Sequence, residues 1–352
     1  MRESIMIKTH LHTDRISPRL VWRLMLCILS VMTSGCHQKE LVYPASTMIK
    51  VSVAFDWTYA PDASVDGMTV IFFPIGPEGS IWRYELAGHD GGDIEIPAGR
   101  YRMLAFNNDT KYIYYNGISQ ADTYNAYTAS TTLSWPPEVL DDYPEMKDYK
   151  GYRSPDALYC GSAEDITISL CAVSYHPYRP DGDNVEAVKE CSKHIVRCYP
   201  EPRTSNYTCI MRNVTNAESM RRGYYLLTGL SPSELIADDV LSESEGAYTF
   251  VAERKNTQIS GKTVAFGRSA SATARQYLYL VAVLADGSVV SYRYDVSDQV
   301  MNSPDKRNVN IIIDGLTLPD VKPVDPDDPT TDFEVAVNDW ETIIINHVIG
   351  LR

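Results

Sequence analysis

The chain lacks any apolar run long enough to cross a membrane as a helix. The apolar runs LMLCILSVM at residues 24–32 and YLYLVAVLA at residues 277–285 have nine residues each. A helix that spans the hydrocarbon core of a bilayer needs about 20. The sequence therefore predicts a protein that does not span a membrane.

The chain also lacks the short motifs that carry catalysis or metal binding. It has no Gly-rich phosphate loop, no H-E-x-x-H pair and no EF-hand spacing, and its histidines lie near no nucleophile elbow. SPDK at 303–306 has Ser-x-x-Lys spacing but the composition of a polar turn. DGDN at 181–184 and HDGGD at 89–93 could offer carboxylates to Ca²⁺, although such loops are more often turns. We predict no enzyme activity, no cofactor and no metal site.

Basic residues are scarce, with 32 Lys and Arg against 46 Asp and Glu and a formal net charge of −14. Residues 1–35 hold five of the basic and two of the acidic residues, so the remainder has 27 against 44 and a charge of −17. This balance repels phosphate backbones and disfavours nucleic acid as a partner.

The N-terminal 35 residues have the composition of an export signal. Basic residues precede the apolar run, and the small residues Thr33, Ser34 and Gly35 lead directly to Cys36. Gly before Cys is typical of a bacterial lipobox, although Thr33 departs from the usual Leu or Val. We predict a lipoprotein signal peptide at 1–35, lipidation at Cys36 and a lipid-anchored tether at 36–46. The alternative is a soluble exported protein that is cleaved nearby.

Five cysteines remain after Cys27 and Cys36 are set aside, namely Cys160, Cys171, Cys191, Cys198 and Cys209. An odd number cannot pair completely within one chain. CSKHIVRC at 191–198 has loosely zinc-like spacing but no C-x-x-C knuckle. Free, mostly buried thiols are favoured over one or two disulfides and over zinc.

Short runs of alternating apolar residues predict an all-β fold. In MIKVSVAFDW the residues Ile49, Val51, Val53, Phe55 and Trp57 share one face, and turn residues bound each similar run that follows. Such spacing is typical of β-sandwiches. We predict an N-terminal sandwich at 47–175, an exposed linker at 176–192 and a C-terminal sandwich at 193–318.

The segment 109–156 is rich in tyrosine and proline, and it predicts loops with short helical turns. Its tyrosines and the SWPP motif at 134–137 are where exposed aromatics would lie if the protein bound glycans. A glycan-binding outer-membrane lipoprotein of a nutrient-uptake system is therefore the alternative function.

A Pro- and Asp-rich linker at 319–332 precedes a further predicted strand at 333–352. An isolated strand must pair with a sheet edge, either in its own chain or in a neighbour. The segment is thus a candidate for strand exchange, and its apolar residues are Phe333, Val335, Val337, Trp340, Ile343 and Ile345.

Taken together, the lipobox cysteine, VSVAFDW, MTVIFFP, IPAGRYRMLAFNND, VRCYPEPRTSNYTCIMRNVTNAESM, LVAVLADGSVVSYRYDVSDQVMNSPDKRNVNIIIDGLTLP and FEVAVNDWETIII resemble a family of Bacteroides-type lipoproteins allied to the fimbrillins. The resemblance implies two tandem transthyretin-like β-sandwiches and lipidation in the outer membrane, with surface exposure. It also implies a structural or adhesive role as a fimbrial anchor or accessory subunit, with fimbrial subunits as partners through β-strand addition. The first strands offer no basic processing site of the kind that shaft subunits carry, which favours an anchor over a shaft pilin.

Overall fold

The computed structural model describes residues 48–76, 79–169 and 194–322, and these residues form 23 strands. Ten precede residue 170: β1 (Met48–Phe55), β2 (Gly67–Pro74), β3 (Trp82–Ala87), β4 (Gly91–Pro97), β5 (Gly99–Asn107), β6 (Tyr114–Asn116), β7 (Asn125–Tyr127), β8 (Ser130–Thr131), β9 (Gly151–Tyr152) and β10 (Tyr159–Ile168). Thirteen follow residue 193: β11 (His194–Cys198), β12 (Glu201–Pro202), β13 (Ser205–Arg212), β14 (Met220–Ser231), β15 (Ser233–Leu235), β16 (Val240–Leu241), β17 (Gly246–Val251), β18 (Glu253–Lys255), β19 (Gln258–Ala265), β20 (Gly267–Arg268), β21 (Tyr277–Leu284), β22 (Val289–Asp295) and β23 (Asn308–Asp314). The predicted all-β fold is confirmed.

Helices are few and short in these residues. The α-helices are α1 (Pro137–Asp142) and α2 (Ser297–Met301), and 3-10 turns lie at Ala121–Thr123, Pro144–Lys147 and Ala217–Ser219. No helix within the described ranges has the length and apolar character that crossing a membrane requires.

The first core lies between a three-stranded sheet, in the order β11-β1-β4, and a five-stranded sheet, in the order β12-β10-β5-β2-β3. The alternation predicted for β1 is present, because Val51 and Val53 are buried while Lys50 is exposed. From the opposite sheet, Met103 and Phe72 pack into the same core.

The second core lies between the sheet β18-β19-β13-β23 and the sheet β22-β21-β14-β17-β9-β8, in which β20 also pairs with β14. Cys209 and Ile311 enter it from the first of these sheets, and Tyr225 and Leu280 enter it from the second. The turn at Ala285–Gly287 joins β21 to β22 as a hairpin, and Gly287 has the positive φ of 84° that such a turn favours.

The segment 109–156 covers the outer faces of both large sheets. Tyr124 packs on Phe73 and Phe106, which point away from the first core. Further along, Trp135 and Met146 pack on the outer face of β14 and β21. β2 and β21 are consequently buried on both faces, which explains their almost continuous apolar sequences.

Strands cross between the two halves of the sequence. β11 pairs in parallel with β1, and β12 pairs with β10, although the sequence assigned both to the C-terminal sandwich beginning at 193. β11 belongs with the N-terminal strands instead, because it completes the sheet that covers the first core, where its Cys198 is buried. A small sheet, β16-β15-β7-β6, also joins both halves. The predicted linker at 176–192 lies outside the described residues and stays a prediction.

Candidate functional site

Most of the site residues predicted from sequence lie outside the described residues. This holds for Cys36 and for the whole candidate strand-exchange segment, Phe333, Val335, Val337, Trp340, Ile343 and Ile345. Both assignments stay predictions.

The described cysteines are free and buried, as the sequence favours for them. Cys160, Cys198 and Cys209 form no disulfide, and burial raises the pKa of the Cys160 and Cys198 thiols to about 12. Cys198 lies in the first core and Cys209 in the second. Cys198 and Cys209 therefore do not share a site, Cys191 lies outside the described residues, and the residues that the structure describes contain no group of three or more His, Cys, Asp or Glu that could hold a metal ion.

The aromatic residues of 109–156 are used mainly for packing. Tyr124 is 1% exposed, Tyr115 stacks on Phe106 with 4.7 Å between ring centroids, and Arg153 lies 4.4 Å from the Tyr112 ring. Tyr114 alone among the tyrosines of 112–127 is classed as exposed. Most of these rings are therefore engaged in packing within the protein, and Tyr114 and Tyr127 form a partly exposed pair with 5.8 Å between ring centroids.

A cluster of charges joins the two halves of the sequence at the loop after β15. Asp239 has a left-handed φ of 55° and accepts from Arg203 at 2.9 Å and from Arg307 at 3.0 Å. Burial would raise the pKa of Asp239, but the two guanidinium groups outweigh it and hold the pKa below its usual value. One residue earlier, Asp238 accepts from Arg102 of β5. We call Arg102, Arg203, Asp238, Asp239 and Arg307, together with Glu234, the charged seam.

Glu234 is the fully buried member of the charged seam. Its Oε1 lies 3.8 Å from Arg203 Nε, beyond hydrogen-bonding distance, and Asp239 is the carboxylate beside it. Burial raises its pKa to about 9, so the side chain is protonated at neutral pH. The described part of the chain therefore buries a neutral carboxylic acid beside an ion pair.

Replacing Glu234 with Gln is expected to flatten the dependence of folding stability on pH. Between about pH 5 and 8 the folded state keeps a proton on Glu234 that the unfolded state has released, so wild-type stability falls as pH rises. Gln carries no such proton, and the stability difference in its favour should grow by up to about 1.4 kcal/mol per pH unit. Urea unfolding at several pH values measures this. Parallel curves for the two proteins would contradict it, and Glu253→Gln at an exposed position is the control.

An open groove runs between β17 and β19 in the second half, with a volume of about 740 Å³. Ala252 donates its N–H to Gly223 of β14, and Ala247 donates on the other side to Lys150. Because bonding directions alternate along a strand, the main-chain groups of Thr249 and Val251 point away from β14, toward the groove.

On the β19 side, too, a strand edge borders the groove. β18 pairs with β19 only as far as Ser260, so the edge of β19 beyond that residue is not covered by β18. The lining combines polar side chains such as Lys262 with apolar ones such as Ile210, and Thr249 Oγ1 is buried there without a hydrogen-bond partner among the described residues. Two strand edges with a mixed lining suit an extended peptide better than a compact small molecule.

No pattern in the sequence indicates the charged seam or the groove. Arg203, Glu234 and Arg307 are far apart in sequence and occupy polar-looking contexts. The buried Glu234 follows Ser231, Pro232 and Ser233 in SPSEL, which looks like an exposed turn.

The described residues define an all-β protein of paired sheets with no converging catalytic group. The family model described as "Domain of unknown function (DUF5119)" matches residues 35–251, and the chain belongs to this family.

Two further comparisons find similar proteins from Bacteroides ovatus. It is 30% identical over 147 residues, 41% of its length, to a protein named "Putative fimbrium anchoring subunit Fim4B". The match spans 40% of that relative's length. The fold is similar to a crystal structure of a "putative adhesin", with a TM-score of 0.58 and 18% identity over 83% of this chain and 99% of the other.

Proposed function

We propose that the protein is a surface lipoprotein that anchors fimbriae or serves as their accessory subunit. The observation that carries the proposal is the 30% identity to the relative named as a fimbrium anchoring subunit. The adhesin-like fold is compatible with this role. In this proposal Cys36 carries the lipid, the outer membrane is the site of attachment, and the sheets face the cell exterior.

The second element of the proposal is β-strand addition between this protein and a fimbrial subunit. The segment 333–349 supplies a candidate strand on a stiff acidic linker. The groove between β17 and β19 supplies a candidate acceptor, because main-chain groups of Thr249 and Val251 face it. The segment either joins a subunit or completes a sheet of its own chain, and the two arrangements predict different consequences of removing it.

Packing in the segment 109–156 favours this proposal over glycan binding. The tyrosines that could have stacked on sugars pack instead on Phe73, Phe106 and Arg153. A structural role also needs no reacting groups, which fits the dispersed histidines and buried thiols.

Surface crosslinking on intact cells, followed by pull-down, tests the partnership. Deleting 333–352 is expected to reduce recovery of a fimbrial subunit at least about tenfold while the unfolding midpoint stays unchanged, because a donated strand adds intermolecular main-chain hydrogen bonds. Loss of monomer stability with unchanged recovery would show that the segment completes its own sheet.

Point variants sharpen this experiment. Val335→Asp places a charge on the apolar face of the candidate strand, and Glu334→Gln changes the opposite face. The first should reproduce the deletion and the second should leave recovery intact. A clear hit on a glycan array without any fimbrial partner would contradict the proposal.

A further inference from the structure

β23 forms one edge of the sheet β18-β19-β13-β23 and pairs in parallel with β13. Asn206 of β13 donates its N–H to Arg307 O at 2.8 Å, and Gly315 donates its N–H to Arg212 O at 3.0 Å. In a parallel ladder, these two bonds mean that the main-chain N–H and C=O groups of the odd-numbered residues of β23 point toward β13. The N–H and C=O groups of Asn308, Asn310 and Ile312 therefore point to the other side.

Gln299, from the short helix α2, occupies that other side at Ile312. Its Nε2 donates to Ile312 O at 3.1 Å, and its Oε1 accepts from Ile312 N at 2.8 Å. One side-chain amide thus makes the pair of hydrogen bonds that a neighbouring strand would make. No additional strand can pair at Ile312 while Gln299 stays in place.

Asp305 covers the beginning of the same edge. Its Oδ1 accepts from Asn308 N at 3.2 Å, and its Oδ2 accepts from the Asn308 side chain at 2.8 Å. Asn310 lies between the two blocked positions, with its side chain exposed. An edge of this kind, with Ile312 still 39% exposed, is a surface on which chains aggregate unless it is blocked.

The edge is complementary to a second copy of itself. If two β23 strands paired antiparallel about Asn310, Ile312 of one copy would face Asn308 of the other, and Asp314 would face Lys306. Asn310 would face Asn310 of the other copy, and the outward N–H and C=O groups of each would hydrogen-bond to those of the other. Opposite charges at the ends and an apolar residue inside favour this register.

We propose that Gln299 is an edge-blocking residue that prevents β23 from pairing with β23 of a second copy. Its amide takes the place of the partner strand at Ile312, and Asp305 does so at Asn308. Removing the amide exposes the edge from Asn310 to Asp314. This inference is independent of the proposed fimbrial role.

A disulfide trap in the full-length protein tests the inference. Asn310→Cys in both copies places the two thiols across the proposed axis, where paired Cα atoms would be about 5.5 Å apart, a separation that suits a disulfide. With Gln299→Ala and Asp305→Ala both added, the disulfide-linked dimer is expected to increase at least about tenfold, since Ile312 of each copy and the Asn308 that it would face both lose their competing hydrogen bonds. Non-reducing gels measure the dimer.

The control is Asn310→Cys with Asn302→Ala, which alters an exposed amide near the same helix without touching the contacts to Ile312. Hydrogen exchange at the Ile312 amide supplies a second readout, and dilute Gln299→Ala should exchange faster there while amides of β13 stay protected. Equal trapping with and without Gln299 and Asp305, or unchanged exchange at Ile312, would overturn the proposal.

Discussion

Replacing Arg203 with alanine is expected to lower the free energy of unfolding by about 2 kcal/mol, because it removes a buried guanidinium together with its charged hydrogen bond to Asp239. The Arg203 side chain is 8% exposed and donates to Asp239 at 2.9 Å. Asp239 would keep Arg307 as its one remaining cation, and the space beside Glu234 would be left unfilled. Guanidinium or urea unfolding measures the change.

The matched control for this prediction is Arg100→Ala. Arg100 pairs with Asp165 on the surface, and both side chains are at least half exposed. Exposed pairs contribute at most about 1 kcal/mol. An Arg203→Ala protein no less stable than Arg100→Ala would show that the buried Arg203 does not stabilise the fold through the charged seam.

Replacing Cys36 with alanine is expected to release the protein from membranes almost completely. Without the thiol no lipid can be attached, and stable anchoring of a bacterial lipoprotein depends on its acyl chains, each buried methylene contributing about 0.8 kcal/mol. Fractionation with and without detergent measures the release, with the protein expected in the soluble fraction without detergent.

Cys27→Ala is the control, since Cys27 lies within the apolar run of the predicted signal. It should leave membrane association unchanged. If Cys36→Ala still needed detergent for extraction, lipidation at Cys36 would be wrong and another form of attachment would be required.

Local features of the fold could be predicted from sequence because short-range periodicity encodes them. The alternation in MIKVSVAF gives β1 one buried face, and the turn ending at Gly287 gives the β21–β22 hairpin. The turn residues Pro97 and Gly99 likewise mark the end of β4 and the beginning of β5. In each case neighbouring residues alone determine the outcome.

Other features depend on contacts that sequence does not reveal. β11 alternates like any other strand, and nothing in it indicates that its partner is β1, about 140 residues earlier in the sequence. Glu234 and Gln299 look like ordinary surface residues, yet one is buried beside Arg203 and the other blocks a strand edge. The resemblance to the fimbrillins indicated the class of protein without locating either residue.

The central claim is that this protein holds fimbriae on the cell, and the distribution of fimbrial subunits between cells and medium tests it most directly. In cells that express Cys36→Ala, the proposal predicts that most fimbrial subunits move to the medium, with Cys27→Ala cells retaining them. Fimbriae that stay on the cells at the wild-type level, while the Cys36→Ala protein itself is released, would contradict it.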